Sequence, residues 1–449
     1  MPSSSGVVAH PTITSATSPE LGVRAGGALS PDAHAAPGRR VLMVAFHFPP
    51  CTGTSGVFRT VKFVRYLPEF GWSPVVLTAS PRSYPSSDDG IGPQAAVPVA
   101  RALAFDAARH LAVRRRYPRL AALPDRWATW WLAGVLHGLR FIRRFRPAVI
   151  WSTYPIATAH LIGLTLHRLG GIPWVADFRD PMTEEDYPAD AMLRGVLRWV
   201  ERRTVSQASR VIFTAPSACE FYRQRYPAIP TERFTVIPNG YDDADLGGLP
   251  LEGRARISSD RPLELLHAGV IYRNERDPSA FFRALAELKR QGAVSAGALR
   301  VVLRAPSEED HLVAFLASLG LGDVVSVRPA IPHRRALEEC AGADALLLIQ
   351  GSSCNRQIPA KAYEYLRLGR PILALTDPRG DTARLLGETG GATIVPSDDS
   401  AIIAALPRFL AALREGTHPG PASDVVDRFD RRLQTATLAD CLVAVANAG

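Results

Sequence analysis

The sequence predicts an α/β protein with two domains, each built on a parallel β-sheet. Short apolar runs, of the kind that form buried strands, alternate along the chain with segments of helical periodicity. The chain has 449 residues, which is too long for one ordinary domain and suits two of about 200 residues each. Its 47% hydrophobic and 21% charged content are those of a globular protein with room for two cores.

Composition sets the expected domain boundaries. Residues 1–38 are rich in Ser, Pro, Ala and Gly and lack the apolar core of a secretory signal, which predicts a disordered tail. Residues 247–262 mix Gly, Pro, Ser and charge, as interdomain linkers do. We therefore expect an N-terminal domain over residues 39–246 and a C-terminal domain over residues 263–449.

Cysteine usage and hydropathy indicate a cytoplasmic protein. The five cysteines are scattered, odd in number and without a Cys-x-x-Cys spacing. This pattern argues against a disulfide framework or a zinc site, and for a reducing compartment. No apolar run reaches the roughly 18 residues that a membrane span needs.

Positive charge is concentrated in one region. The net charge is +9, and between Arg101 and Arg146 eleven arginines stand against only two aspartates. The same region contains Trp127, Trp130, Trp131, Phe141 and Phe145. A basic helical region with aromatic residues fits an anionic lipid surface, and a solvated helix face is the alternative. Nucleic acid is a competing partner for such a patch, but no nucleic-acid-binding motif accompanies it, so we expect none.

The first predicted strand, residues 40–46, leads into a loop that suits a ligand. Two prolines end the strand, Gly53 and Gly56 make the loop permissive, and residues 57–67 have helical periodicity. Glycines between a strand and a helix let the backbone approach a ligand, with helix N–H groups directed at it. The spacing matches neither the dinucleotide-binding fingerprint nor a P-loop.

The alternation continues to residue 240, with further strands predicted at residues 72–78, 148–152, 211–214 and 234–240 and a helix at residues 153–169. Another apolar run, from Pro173, ends in three charged residues, Asp177, Arg179 and Asp180. The carboxyl end of a strand is the functional edge of such sheets, and a solvated face explains three charges without helical spacing poorly. A structural ion pair between Arg179 and an aspartate is the alternative.

The second half repeats the pattern, with strands predicted at residues 263–268, 301–304, 324–328, 344–350 and 372–375 and helices at residues 279–289, 360–368 and 424–448. After the first of these strands, Gly269, Arg273 and Arg276 would cradle a pyrophosphate, since arginine binds phosphate oxygens as a fork. Exposed arginines without a ligand are the alternative.

Residues 357–375 carry the strongest local signal. A helix over residues 360–368 is ended by Gly369 and Pro371, and a buried strand follows. The positive end of the helix dipole favours anions near its N-terminus. Lys361 and Glu364 lie on the same helix turn, so one face of the helix offers an ammonium group and a carboxylate. The alternative is that Glu364 is a solvated residue on an ordinary helix.

These segments together resemble retaining glycosyltransferases of the GT-B fold, of the family 4 (group 1) type found in bacterial envelope polysaccharide assembly. The resemblance rests on the first strand with its Phe-Pro-Pro turn, on residues 177–180, on Pro238-Asn239-Gly240 and on residues 359–375. It implies two Rossmann-like domains facing each other across a cleft, with a C-terminal helix that crosses back to the N-terminal domain.

The resemblance also implies an activity. The expected reaction moves a sugar from a nucleotide diphosphate-sugar to a glycan or lipid-linked acceptor with retention of configuration, without a metal or another cofactor. Catalytic roles are expected for Asp177, Arg276, Lys361 and Glu364. Donor binding is expected of Gly53, Gly56, Asn239, Gly269, Arg273, Arg276, Lys361 and Glu364. Acceptor binding is expected of Asp177, Arg179 and Asp180, on a protein that is cytoplasmic and peripheral to the inner face of the cell membrane.

Some residues depart from this pattern. Arg356 stands where the family has the first of two glutamates, and Val270 stands where it has an arginine after the glycine. A non-catalytic GT-B scaffold that binds nucleotide-sugars therefore remains an alternative, as does a sugar-nucleotide epimerase of the same architecture. Asp243-x-Asp245 matches the metal motif of the other glycosyltransferase fold, but no apolar strand precedes it, and we expect it to cap a helix instead.

Overall fold

The computed structural model describes residues 39–52, 56–87, 97–111, 117, 119–249, 260–271 and 275–448. The predicted disordered tail and residues 250–259 of the predicted linker lie outside these ranges. The described chain forms two parallel β-sheets flanked by helices, which confirms the predicted α/β architecture.

The first sheet has seven parallel strands in the order β3-β2-β1-β4-β5-β6-β7. Its strands are β1 Arg39–Val44, β2 Trp72–Ala79, β3 Val99–Ala102, β4 Val149–Thr153, β5 Trp174–Arg179, β6 Arg210–Phe213 and β7 Phe234–Val236. The accompanying helices are α1 Gly56–Tyr66, α2 Ala107–His110, α3 Trp130–Phe145, α4 Ala157–Gly170, α5 Ala191–Gln207, α6 Pro216–Arg225 and α7 Asp243–Leu246.

The second sheet has six parallel strands in the order β10-β9-β8-β11-β12-β13. Its strands are β8 Leu263–Ala268, β9 Leu299–Arg304, β10 Val325–Arg328, β11 Ala345–Ile349, β12 Ile372–Leu375 and β13 Ala392–Val395. The helices of this half are α8 Ser279–Arg290, α9 Glu309–Ser318, α10 His333–Gly342, α11 Ala360–Leu368, α12 Asp381–Thr389, α13 Asp399–Glu415, α14 Ser423–Val426 and α15 Arg431–Ala448.

The strand order determines where a ligand can bind. In each sheet the order reverses at the centre, between β1 and β4 in the first sheet and between β8 and β11 in the second. Of these central strands, β4 and β11 are buried along their whole length, because helices cover both faces of a doubly wound sheet. Ligands of such sheets bind beyond the carboxyl ends of the strands at the reversal, which here are the loops after β1, β4, β8 and β11.

Two predicted helices differ from the observed ones. The helix expected from residue 153 begins at Ala157, because β4 continues through Thr153 and Pro155 follows before the helix can start. The helix expected over residues 424–448 is interrupted between α14 and α15. At the break, Asp430 is extended and forms a β-bridge with Tyr241, so the backbone pairs with the first half of the chain there.

The last helix packs against the first sheet, as the resemblance implies. Leu438, Leu442 and Val445 of α15 are buried in one hydrophobic cluster with residues of β1 and β4, including Val41 and Trp151. The C-terminal helix therefore completes the core of the first half of the chain and holds the two halves together.

We expect Leu442→Ala to lower the free energy of unfolding by about 2–5 kcal/mol, because Leu442 is fully buried and the change leaves a cavity. Val443→Ala is the matched control on the same helix, since Val443 is 38% exposed. Urea unfolding followed by circular dichroism measures both. Equal small effects would mean that α15 is not docked on the first sheet.

Candidate active site

A small polar cavity of ≈ 80 Å³ lies between the two halves of the chain. The first half contributes Arg179, Asp180 and Asn239, and the second contributes Arg276, Gln350, Cys354, Gln357, Ile358, Pro359 and Ala360. Four of the predicted site residues therefore line one cavity, which we call the cleft cavity. It lies at the carboxyl ends of β5, β8 and β11, and β8 and β11 flank the reversal of strand order in the second sheet, where ligands bind.

The segment after β11 forms the floor of the cleft cavity. Gln350 anchors it by donating from Nε2 to the carbonyl oxygens of Cys354 and Gln357 at 2.8 and 3.0 Å. Its Oε1 is buried and has no hydrogen-bond partner among the described residues. Pro359 precedes the first turn of α11 without a side-chain cap, and Gly369 ends the helix in the left-handed conformation. No capping side chain therefore accepts a hydrogen bond from the first N–H groups of α11, and this uncapped start of the helix faces the cavity.

Lys361 lies beside the cavity, against the loop after β8. Its Nζ is 3.2 Å from Nε2 of His267, whose Nδ1 lies 2.9 Å from the carbonyl oxygen of Leu347. Burial lowers the pKa of His267 well below its usual value, which favours the neutral imidazole. Burial, with Arg276 nearby, lowers the pKa of Lys361 to about 7. Gly269 has φ +103°, and a Cβ there would lie 3.3 Å from Nζ of Lys361. Glycine thus lets the predicted phosphate loop approach Lys361 closely.

Glu364 lies one turn further along α11. Its Oε1 is 3.5 Å from Nε2 of His333, and burial raises the pKa of the carboxyl group. The imidazole of His333 in turn packs on the ring of Phe58 of α1, with 4.7 Å between ring centroids. Sequence reasoning identified Glu364 but not His333, because a histidine at the start of α10 carries no motif.

Asp177 does not line the cleft cavity. It is fully buried and accepts hydrogen bonds from Nε and Nη2 of Arg59 at 2.8 and 3.3 Å. Arg59 also donates to the carbonyl oxygens of Ile237 and Pro238, both at 3.0 Å. The expectation that Asp177 contacts an acceptor does not fit this arrangement, because both of its oxygens are used inside the protein. The alternative interpretation, an ion pair between Arg179 and an aspartate, does not describe Asp177 either, because Asp177 pairs with Arg59.

Arg179 and Asp180 extend beyond Asp177 into the cleft cavity. The register of β5 shifts between Asp177 and Arg179, and Arg179 has φ 63°, a rare conformation for a bulky residue. Asp180 accepts a 3.3 Å hydrogen bond from Thr214, and burial raises the pKa of its carboxyl group. A bulge of this kind re-aims the side chains that follow it.

The loop that carries Asn239 is held from two directions. Arg59 binds its carbonyl groups from one side, as described above. From the other side, Gln434 of α15 donates to the carbonyl oxygen of Asn239 at 2.9 Å, and Arg431 approaches its Oδ1 at 3.5 Å. Burial lowers the pKa of Arg431 to about 9. The tail helix therefore helps to fix one wall of the cleft cavity.

The remaining predicted donor residues come from loops. Gly56 is the first residue of α1 and lies with His47 and Arg179 around a small recess next to the cleft cavity. Burial and the charge of Arg179 lower the pKa of His47 to about 4. Gly53 and Arg273 lie outside the described residues.

Arg356, at the position of the missing family glutamate, has partners in the first half of the chain. It forms an ion pair with Glu184, and its guanidinium lies 4.3 Å from the ring centroid of Phe221. Sequence reasoning missed this cross-cleft contact, because nothing in residues 181–190 marks Glu184 as its partner.

The Asp243-x-Asp245 pair lies at the start of α7, in agreement with a helix-terminal role, although the capping side chain is Asp242. Asp243 pairs with Arg367 and Asp245 with Lys62. Within the described ranges, no group of three or more His, Cys, Asp or Glu side chains is arranged to hold a metal ion.

Comparison with known proteins agrees with this architecture. Residues 57–240 match the glycosyl transferase 4-like domain family. A D-inositol 3-phosphate glycosyltransferase of Frankia alni is 26% identical over 181 residues, which is 39% of this chain and 44% of the relative. The chain thus matches less than half of the length of that curated relative.

Solved structures cover nearly the whole chain. Sucrose-phosphate synthase from Thermosynechococcus elongatus superimposes with a TM-score of 0.66 at 15% identity, over 92% of this chain and 100% of that one. HepE from Anabaena, solved in complex with UDP, gives a TM-score of 0.61 at 14% identity, over 90% and 100% of the two chains. At this identity the likeness shows the fold. Residues 57–240 therefore carry a glycosyl transferase 4-like domain, and the chain as a whole has the GT-B fold of these solved structures.

Proposed function

We propose that the protein transfers a sugar from a nucleoside diphosphate-sugar to a glycan or lipid-linked acceptor, with retention of configuration and without a metal ion. One observation carries the proposal: Arg276, Lys361 and the uncapped start of α11 converge beside a polar cavity between the two sheets. That arrangement suits an anion with several oxygens. The solved HepE complex, in which a protein of this fold holds UDP, supports a nucleotide donor.

The chemistry of the proposal is electrostatic. As the glycosidic bond breaks, negative charge develops on the departing diphosphate, and fixed positive groups stabilise that charge most in a site that excludes water. The positive charge that a metal ion supplies in metal-dependent enzymes comes here from Arg276, Lys361 and the helix N-terminus. The departing phosphate, as the resemblance implies, takes the proton of the acceptor hydroxyl, so the protein need not provide a nucleophile.

The direct test is release of nucleoside diphosphate from a panel of nucleotide-sugars, measured with and without polysaccharide or lipid-linked acceptors. A transferase releases nucleotide only with an acceptor and forms a longer glycan. Conversion of the donor to an epimer without an acceptor would indicate the epimerase instead. Tight donor binding without turnover across the acceptor panel would indicate the scaffold.

Glu364→Ala should reduce turnover by the equivalent of about 2–4 kcal/mol, because the proposal has Glu364 accept hydrogen bonds from the donor ribose. Steady-state kinetics with saturating acceptor measure this loss. Glu338→Ala is the control, since Glu338 is a carboxylate on the surface of α10 with arginine partners. A folded Glu364→Ala variant with unchanged kinetics, or activity that EDTA abolishes and Mg²⁺ restores, would contradict the proposal.

Binding of an anion beside Lys361 should be accompanied by proton uptake. Because the pKa of Lys361 is about 7, its amine is largely neutral above that pH, and a bound diphosphate favours the charged form. Affinity for inorganic pyrophosphate should therefore weaken in the wild type, relative to Lys361→Arg, as the pH rises from about 7 to about 9.

Calorimetric titration in buffers of different ionisation enthalpy gives the number of protons taken up. At about pH 8 the wild type should take up close to one proton more than Lys361→Arg, whose guanidinium stays charged. Protonation of pyrophosphate itself contributes equally to both proteins and cancels. Equal proton uptake would show that Lys361 does not contact the anion.

We also propose that the protein binds the anionic, cytoplasmic face of a membrane through α3. One side of α3 packs on α4, where Gly134 and Gly138 allow a close approach to Ile162 and Leu166. The opposite side exposes Leu132 and Leu136 and continues into Arg140, Arg143 and Arg144. Apolar side chains next to arginines suit the boundary between headgroups and acyl chains.

Most of the aromatic residues that the sequence suggested for this surface are not exposed. Trp130 is fully buried, and Trp127, Phe141 and Phe145 pack against the core, so of the five predicted aromatic residues only Trp131 is exposed, at 41%. Several arginines of the region are used within the protein, including Arg126 on Asp106 and Arg119 on Asp190. In the described part of the chain, no helix has the length and apolar character that crossing a bilayer requires.

Sedimentation with vesicles tests the membrane proposal. The wild type should pellet with phosphatidylglycerol-containing vesicles at low salt and much less at high salt or with phosphatidylcholine alone. Arg143→Glu/Arg144→Glu should abolish pelleting. Arg202→Glu/Arg203→Glu is the matched control, because it reverses the same number of charges on the exposed surface of α5. An equal loss in both variants would mean that net charge, rather than α3, governs binding.

A further inference from the structure

Arg179 is held in an unusual way at the edge of the cleft cavity. Its backbone is left-handed, which is costly for a bulky residue unless the surroundings impose it. The carbonyl oxygen of Arg179 accepts hydrogen bonds from both the N–H and the Oγ1 of Thr214, at 2.8 and 2.9 Å. These two contacts fix the bulge at the end of β5 and so fix the place from which the guanidinium projects.

The guanidinium of Arg179 is poorly satisfied by the protein. Nη1 makes one long hydrogen bond, 3.4 Å, to the carbonyl oxygen of Tyr154, and Nε is buried without a partner among the described residues. The neighbouring carboxylates do not neutralise this guanidinium. Asp177 is bound by Arg59, and burial raises the pKa of Asp180, which disfavours its charged form. A half-buried cation with unused donors is costly, and an anionic ligand lowers that cost.

The opposite wall of the same cavity offers further groups that suit a phosphate. Arg276 lines it and donates from Nη1 to the carbonyl oxygen of Val270 at 3.1 Å. The uncapped start of α11 lies beside it, at Pro359 and Ala360. Two arginines and a helix N-terminus around one cavity match an anion with several oxygens.

We infer that Arg179 binds the diphosphate of the donor from the first half of the chain and forms, with Arg276 from the second half, a clamp across the cleft. The inference rests on the proposed function and revises the expectation that Arg179 contacts the acceptor. It also gives the protein a second phosphate-binding arginine, although Val270 stands where the resembling family has one. Because the two arginines belong to different sheets, bound diphosphate connects the two halves of the protein.

The test variant is Arg179→Gly. Glycine adopts a φ of 63° freely, so this change removes the guanidinium without straining the bulge, and thermal unfolding should show a stability equal to or above that of the wild type. Calorimetric titration of the full chain with inorganic pyrophosphate should show at least a tenfold weaker affinity for Arg179→Gly and for Arg276→Ala. Arg202→Ala, an exposed arginine of the same half, should bind like the wild type.

Each other outcome has a definite meaning. If Arg179→Gly binds pyrophosphate as the wild type does while the KM for the acceptor rises, Arg179 serves the acceptor; the inference is then wrong and the proposed function stands. If Arg179→Gly loses affinity but Arg276→Ala does not, the anion is held from one side only, and the clamp is wrong. If the wild type binds neither pyrophosphate nor any nucleotide-sugar, the proposed function fails together with the inference.

Discussion

The buried ion pair between Arg59 and Asp177 is the interaction on which the candidate site depends. It joins α1 to β5, and through the carbonyl groups of Ile237 and Pro238 it also holds the loop that carries Asn239. Removing one partner of such a pair leaves an uncompensated charge and typically costs about 3–5 kcal/mol. The pair is therefore a structural element, and its effect on chemistry is indirect: it positions Arg179 and Asn239, which follow it toward the cleft.

Several contacts hold the second half of the chain against the first half. Asp381, the first residue of α12, accepts hydrogen bonds from the N–H and the Oγ of Ser217 at 2.9 and 2.6 Å and so caps α6 from across the cleft. Arg356 reaches Glu184 and Phe221, and α15 packs beneath the first sheet. The first two of these contacts are polar or charged, whereas α15 meets the first sheet through apolar side chains.

The sequence predicts the fold well because its signals are local. Apolar runs such as β11 and stop signals such as Gly369 act within a few residues, and they locate most strands of both sheets. Partnerships across the chain are different: nothing near Asp177 shows that Arg59 occupies it, and nothing near Arg356 points to Glu184. The interruption between α14 and α15 has the same origin, because Tyr241, far away in sequence, pairs with Asp430. Residue types at the site could be read from motifs, whereas their roles depend on these distant partners.

The central claim is that a diphosphate binds between the two sheets and is contacted from both. Hydrogen–deuterium exchange of the full chain, with and without saturating inorganic pyrophosphate, tests it most directly, because exchange reports each backbone segment separately. The account predicts slower exchange in two segments that belong to different halves, residues 177–182 after β5 and residues 357–364 at the start of α11, with no change at the end of α5. Protection confined to one of the two segments, or found only outside the cleft, would contradict it.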